Sequence, residues 1–170
     1  SRNKLEEVFA RCMGAEAALV RSQFMSGTHT LTVALFGLLR TGDTLLAATG
    51  RPYDTLEGVI GIGDAGKGCG TLREFGVNYD ECPLLPDFTP DYDLIAEKAR
   101  TATVVHIQRS RGYTQRNAFD LATIQKVADT ARKANPNAVI FVDNCYGEFT
   151  QTAEPVAFGA DIMAGSFIKN

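Results

Sequence analysis

The chain has 170 residues, of which 45% are hydrophobic and 22% charged. That is the composition of an ordinary folded domain and not of a disordered, fibrous or membrane-spanning chain. Seventeen basic residues against 20 acidic ones leave a formal charge of -3, so no global positive field attracts nucleic acid and none is expected as a partner. The longest apolar stretch, residues 31–39, is about half of what a bilayer crossing needs, so no membrane partner is expected either. No charged segment followed by an apolar one opens the chain, which makes a cytoplasmic location the expectation.

In chain order, Leu5, Val8, Phe9 and Cys12 follow helical spacing, with Asn3 placed to cap the start and Gly14 to end it. Residues 17–20 are expected as a short strand, 28–39 as an apolar helix closed by Gly42, and 43–48 as the next strand. Six glycines (Gly61, Gly63, Gly66, Gly68, Gly70 and Gly76) make 58–82 an irregular surface excursion. A helix begun near Pro90 carries Leu94, Ile95 and Ala99. Residues 102–107 form a strand, Leu121, Ile124, Val127 and Ala131 a second amphipathic helix, and 138–142 a buried strand. Residues 161–168 look strand-like. Strands apolar on both faces, alternating with amphipathic helices, define an α/β class with a mainly parallel sheet flanked by helices. The chain starts at Ser1 without Met and stops beside a strand end, so it is expected to be a fragment, cut next to its chemistry.

The four cysteines, Cys12, Cys69, Cys82 and Cys145, lack a C-x-x-C pair and are expected as thiols. A four-cysteine zinc site is the alternative, but its ligand pairs normally sit two to four residues apart, so no metal site is expected. Residues 61–68 match G-x-x-x-x-G-K, yet Gly68 stands where a P-loop needs Ser or Thr for magnesium, so no nucleotide site is expected there.

The chemistry should gather where strand ends converge: 26–29, 108–111, 143–146 and 166–169. Ser26, Gly27 and Thr28 lead into a helix whose N-terminus suits a phosphate, although on this motif alone a simple N-cap by Ser26 or Thr28 is the favoured explanation. Asp143 leaves a buried strand. Its charge needs a partner, which could be a metal, a ribose hydroxyl, a protonated ring nitrogen or loop amides. Lys169 ends an apolar segment, where burial would lower its pKa and favour the neutral amine, unless it is simply solvated. A phosphate cradle, a buried aspartate and a desolvated lysine together form a constellation known from pyridoxal phosphate enzymes. Cys145 is better explained as a small buried hydrophobe than as a reactive thiol, with Glu148 orienting its segment.

The segments FMSGTH at 24–29, VDNCYGEF at 142–149 and GADIMAGSFIKN at 159–170 resemble the methionine gamma-lyase family proteins, also called aluminium resistance proteins. These belong to the cystathionine-lyase-like branch of fold type I pyridoxal phosphate enzymes. The resemblance covers the whole chain. It implies part of a large cofactor-binding domain, truncated just after the Schiff-base lysine, with the C-terminal small domain and its substrate-carboxylate arginine absent. It also implies a homo-oligomer, dimer or tetramer, for the full-length protein.

By the same resemblance Lys169 would carry pyridoxal 5'-phosphate as a Schiff base and Asp143 would pair with the ring nitrogen. Ser26, Gly27, Thr28 and Ser166 would bind the phosphate, Ile168 standing where relatives often place a phosphate-binding Thr. Tyr53 would stack on the ring and act as an acid, with His29 as second choice for stacking. Gln108 would contact the ring hydroxyl, and Arg111 a phosphate or substrate carboxylate. The implied activity is a carbon–sulfur lyase: Lys169 abstracts the Cα proton of a small sulfur-containing amino acid, and β or γ elimination follows. The alternative is a cofactor-binding but non-catalytic or regulatory protein linked to aluminium or metal stress.

Overall fold

The computed structural model describes residues 1–169; Asn170, which ends the lysine segment, lies outside the described residues. Five strands are formed: β1 Thr44–Ala47, β2 Asn78–Glu81, β3 Val104–Gln108, β4 Val139–Asp143 and β5 Ile162–Ala164. They make one sheet in the order β2-β1-β3-β4-β5, and every pairing is parallel. The helices are α1 Arg2–Met13, α2 Gly27–Leu38, α3 Asp54–Ile60, α4 Tyr92–Lys98 and α5 Leu121–Ala134.

Alternation along the strands divides the core into two layers and decides which side chains reach the site. Leu46, Val105, Ile107, Ile140 and Val142 pack with Ile95 of α4 and with Ile124, Val127, Ala128 and Ala131 of α5. Leu45, Val104 and Phe141 pack on the other face with Leu31 and Leu35 of α2 and Leu56 and Ile60 of α3. Leu31, Leu35, Ile124 and Val127 are wholly buried, each worth about 1.5–3 kcal/mol of transfer free energy. Stepping by two from Val104 reaches Gln108, and stepping by two from Phe141 reaches Asp143. Both polar residues therefore end their strands on the α2 side of the sheet.

Several boundaries differ from the sequence expectation. No strand forms at 17–20, where Leu19 is 70% exposed and the Val20 N–H is taken by the Glu6 carboxylate. Ser1, not Asn3, caps α1. Gly14 ends α1 as expected, in the left-handed region with its N–H on the carbonyls of Ala10 and Arg11. α2 stops at Leu38, and Gly42 shapes the next turn instead. The excursion at 58–82 contains the end of α3 and the edge strand β2, whose polar sequence NYDE gives no apolar alternation to detect. Only Ile162–Ala164 of 161–168 is a strand; after it the chain turns, leaving Ile168 87% exposed.

His106 lies on β3 two residues before Gln108, 1% exposed, with its ring 5.8 Å from that of Phe141. Its Nε2 has no hydrogen-bond partner, and burial pushes its pKa down to about 4. A protein that keeps this imidazole neutral when the unfolded chain protonates it loses stability as pH falls from the ordinary value of 6.5 toward about 4. The loss attributable to His106 should reach roughly 2–3 kcal/mol at the acid end. Urea midpoints of wild type and His106→Leu, compared at neutral pH and near pH 5, check this: the difference should grow in favour of the variant on acidification, and parallel lines would refute it.

Candidate active site

The carboxyl ends of β3, β4 and β5 meet the N-terminus of α2. Ser26 adopts extended backbone and its hydroxyl accepts the His29 N–H at 3.1 Å, which satisfies one first-turn donor. Its oxygen thus acts as the N-cap, the structural alternative weighed for it. The first-turn amides that follow lie at the positive end of the helix dipole. Gly27 is buried, and a Cβ placed there would lie 3.3 Å from Cys145 Sγ, 3.5 Å from Ser166 Cβ and 4.0 Å from Lys169 Nζ. Glycine therefore lets the helix terminus approach the loops that follow β4 and β5.

Asp143 is 2% exposed. Burial raises its pKa; bonds from Cys145, whose N–H donates to Oδ1 at 3.0 Å, and the charge of Lys169 act in the opposite direction. Its partner set therefore includes loop amides and a lysine. Lys169 corrects the expectation of a lowered pKa. Burial does lower it, but Cys145, Tyr146 and Asp143 outweigh burial and hold the ammonium above its ordinary value. The physical reason is the turn after β5, which leaves Nζ only partly desolvated and 4.6 Å from the centre of the Tyr146 ring. Lys169 and Asp143 sense each other's charge.

Tyr53 precedes α3, its hydroxyl 2.8 Å from Thr28 Oγ1. Burial raises its pKa, with the Thr28 and Thr55 hydroxyls partly offsetting this, so the phenol stays protonated at neutral pH. Gln108 is buried. Its Oε1 accepts the Tyr53 N–H at 2.9 Å and its Nε2 donates to the Ser110 carbonyl at 3.2 Å, so the amide fixes the backbone of Tyr53. Ser166 presents its Cβ to Gly27 while its N–H is held by Glu148. His29 Nδ1 accepts the Met25 N–H and its ring meets Phe24 edge-on. Arg111 is exposed in the turn after β3. Cys145 is 5% exposed, and burial together with Asp143 pushes its thiol up to about 12, as befits a packed side chain and not a nucleophile.

Two arginines that the sequence reading left out organise these loops. Arg109, 5% exposed, donates to Asn144 Oδ1 at 2.7 Å, the Gly147 carbonyl at 3.0 Å and Gln151 Oε1 at 2.7 Å, and lies 3.8 Å from Glu154. Arg116, 4% exposed, donates to the carbonyls of Gln108, Ser110 and Asn117 and covers the Phe119 ring at 4.1 Å; burial pushes its pKa down to about 10. The P-loop-like segment is accounted for as well. The N–H groups of Gly68, Gly70 and Thr71 all donate to the Glu74 carboxylate, which fills the place an anion would take. Among the described residues no group of three or more His, Cys, Asp and Glu side chains could hold a metal ion, and no helix is long and apolar enough to cross a membrane.

A parallel α/β sheet with a buried carboxylate, a lysine and a helix N-terminus at its strand ends places the chain among proteins with the fold of the cystathionine and methionine lyases. The sequence model of the methionine gamma-lyase family matches residues 1–170, and the chain belongs to that family. It is 46% identical over 170 residues to the uncharacterized protein YnbB of Bacillus subtilis, covering 99% of this chain and 40% of that protein. A Listeria innocua structure, provisionally named a cystathionine beta-lyase involved in aluminum resistance, is 48% identical with a TM-score of 0.95, covering 99% of this chain and 41% of that one. A carbon-sulfur lyase involved in aluminum resistance from Clostridium novyi is 45% identical with a TM-score of 0.92, covering 98% and 40%. A methionine gamma lyase from Micromonospora echinospora, at 22% identity and a TM-score of 0.64, shares the fold. The chain thus spans about 40% of the length of these near relatives.

Proposed function

We propose that this chain carries the pyridoxal phosphate site of a carbon–sulfur lyase that acts on a sulfur-containing amino acid. One observation carries the reading: a carboxylate 2% exposed at the end of β4 is electrostatically coupled to a lysine on the turn after β5, beside the N-terminus of a helix. In this reading residues 1–170 are part of the large domain, and substrate-carboxylate recognition belongs to the remainder of a longer, oligomeric protein.

The residues present fit the cofactor. The first-turn amides of α2 lie at the positive end of its dipole, where Thr28 adds a hydroxyl and Ser166 and Lys169 lie beside Gly27, a donor set that suits a phosphate. Asp143 would hold a proton on the pyridine nitrogen, because a carboxylate desolvated this strongly gains most from a cationic partner. When bound, the cofactor would supply an electron sink for a carbanion at the substrate's Cα. Lys169 would anchor it and then move the Cα proton, its amine lying beside the α2 terminus and within the field of Asp143. Tyr53, protonated and fixed by Thr28 and Gln108, would orient toward the leaving group as a proton donor. Arg111 is offered as an accessory contact for phosphate or for the substrate carboxylate.

Borohydride reduction of the full-length protein loaded with pyridoxal phosphate, followed by peptide mapping, should place the modification on Lys169. Lys169→Ala should abolish both the adduct and the visible absorbance. Keto acid and ammonia release from methionine, cystathionine and homocysteine should accompany wild type only. A full-length protein that stays colourless and unmodified with added cofactor refutes the site; an adduct without turnover of any of the three selects the non-catalytic, regulatory alternative.

A further inference from the structure

The lysine-bearing turn is not held by its own strand alone. β5 is three residues long and ends at Ala164, and four residues separate that end from Lys169. Glu148, 3% exposed, lies in the loop after β4, and its Oε1 accepts the Ser166 N–H. A Cβ on Gly165 would lie 2.5 Å from that same oxygen, although the Gly165 backbone is not in the left-handed region. The glycine is therefore required by the approach of Glu148 and not by the turn, so the two positions are matched to one another. A neutral amide side chain would also accept from the Ser166 N–H. A buried carboxylate is the costlier choice, and its charge is felt by Asp143, Cys145 and Arg109.

Resting on the reading of the site given above, we propose that Glu148 is a positioning residue: its carboxylate ties Ser166 to the loop after β4, fixes the turn that carries Lys169 opposite Asp143, and adds a negative charge behind both. Glu148 acts through the Ser166 amide and through its field, and the two contributions separate by substitution. Gln keeps an acceptor oxygen of the same reach and loses the charge, whereas Ala loses both.

The test uses the full-length protein with pyridoxal phosphate as the probe. Removing a negative charge disfavours the protonated form of the lysine–cofactor chromophore, so Glu148→Gln should move the midpoint of its visible pH titration downward by about half a pH unit while retaining cofactor within about twofold. Glu148→Ala should show the same downward shift and, because the turn is released, hold the cofactor about tenfold more weakly. Hydrogen exchange of the peptide spanning residues 162–169 in cofactor-free protein should quicken in Glu148→Ala and stay near wild type in Glu148→Gln. Titration midpoints equal to wild type in both variants overturn the proposal, and Glu148→Gln alone decides this if Glu148→Ala does not fold. Absence of the Lys169 adduct in wild type would instead count against the reading of the site, which separates the two failures.

Discussion

Replacing Asp143 by Asn is expected to make the cofactor-free protein more stable and, on the proposed reading of the site, the cofactor-loaded full-length protein nearly inactive. Asn matches Asp in size and keeps an acceptor for the Cys145 N–H that now donates to Oδ1 at 3.0 Å. What it loses is a charge that burial opposes, as the raised pKa of Asp143 shows. For a carboxyl whose folded-state pKa lies above its unfolded value, the penalty is absent at low pH. It develops as pH rises through the ordinary carboxylate range and persists at neutrality. Asp143→Asn removes that penalty, and the melting temperature of cofactor-free protein should rise accordingly. An amide cannot hold a proton on a ring nitrogen, so kcat/KM for elimination should fall about 10²- to 10³-fold, in the range seen when a preorganised electrostatic partner is removed. The two measurements must move in opposite directions. A lower melting temperature with turnover retained would mean that Asp143 serves only the loop amides.

The same opposition explains which parts of the architecture could be seen from residues alone. Strands β3 and β4 are apolar on both faces, and α5 carries Leu121, Ile124, Val127 and Ala131 at helical spacing with Asp120 capping it, so local pattern and tertiary role coincide. β2 was hidden because an edge strand that reads NYDE borrows its pairing from β1 and buries little of its own. The run at 17–20 misled for the converse reason, its apolar residues lacking a neighbouring strand to pair with. At the site, Asp143 and Lys169 stood out because each follows an apolar run, and chain alternation brings Asp143 and Gln108 to one face. The sign of the Lys169 shift was not legible. It depends on Cys145, Tyr146 and Asp143 lying close to Nζ, and no spacing in the chain encodes that proximity. Arg109 and Arg116 escaped notice because arginines in loops are ordinarily solvated, and only their donors' convergence on carbonyls and buried amides reveals them as internal braces.

Arg109 is where the largest loss of stability should be found. Its guanidinium links the end of β3 to the loop after β4 through Asn144, Gly147, Thr150 and Gln151, and it lies beside Glu154, which in turn accepts from Asn144 Nδ2 at 2.8 Å and from the Phe149 N–H at 2.8 Å. The two side chains are 6% and 4% exposed, so solvent cannot replace a missing partner. A Cβ on Gly147 would collide with Arg109 Nη1 and Asn144 Oδ1, which shows how tightly the loop wraps the charge. Arg109→Met keeps the apolar stem and strands the glutamate, and should lower unfolding free energy by roughly 3–5 kcal/mol. Adding Glu154→Gln should restore part of it, because the double variant no longer buries an unpaired charge. Urea denaturation of the four proteins in the cycle measures the coupling. A single-variant cost below about 1 kcal/mol would place the pair in the class of solvated ion pairs and contradict the brace. The loop so released carries both Cys145 and Glu148, so cofactor retention in Arg109→Met should fall even at temperatures where the protein remains folded.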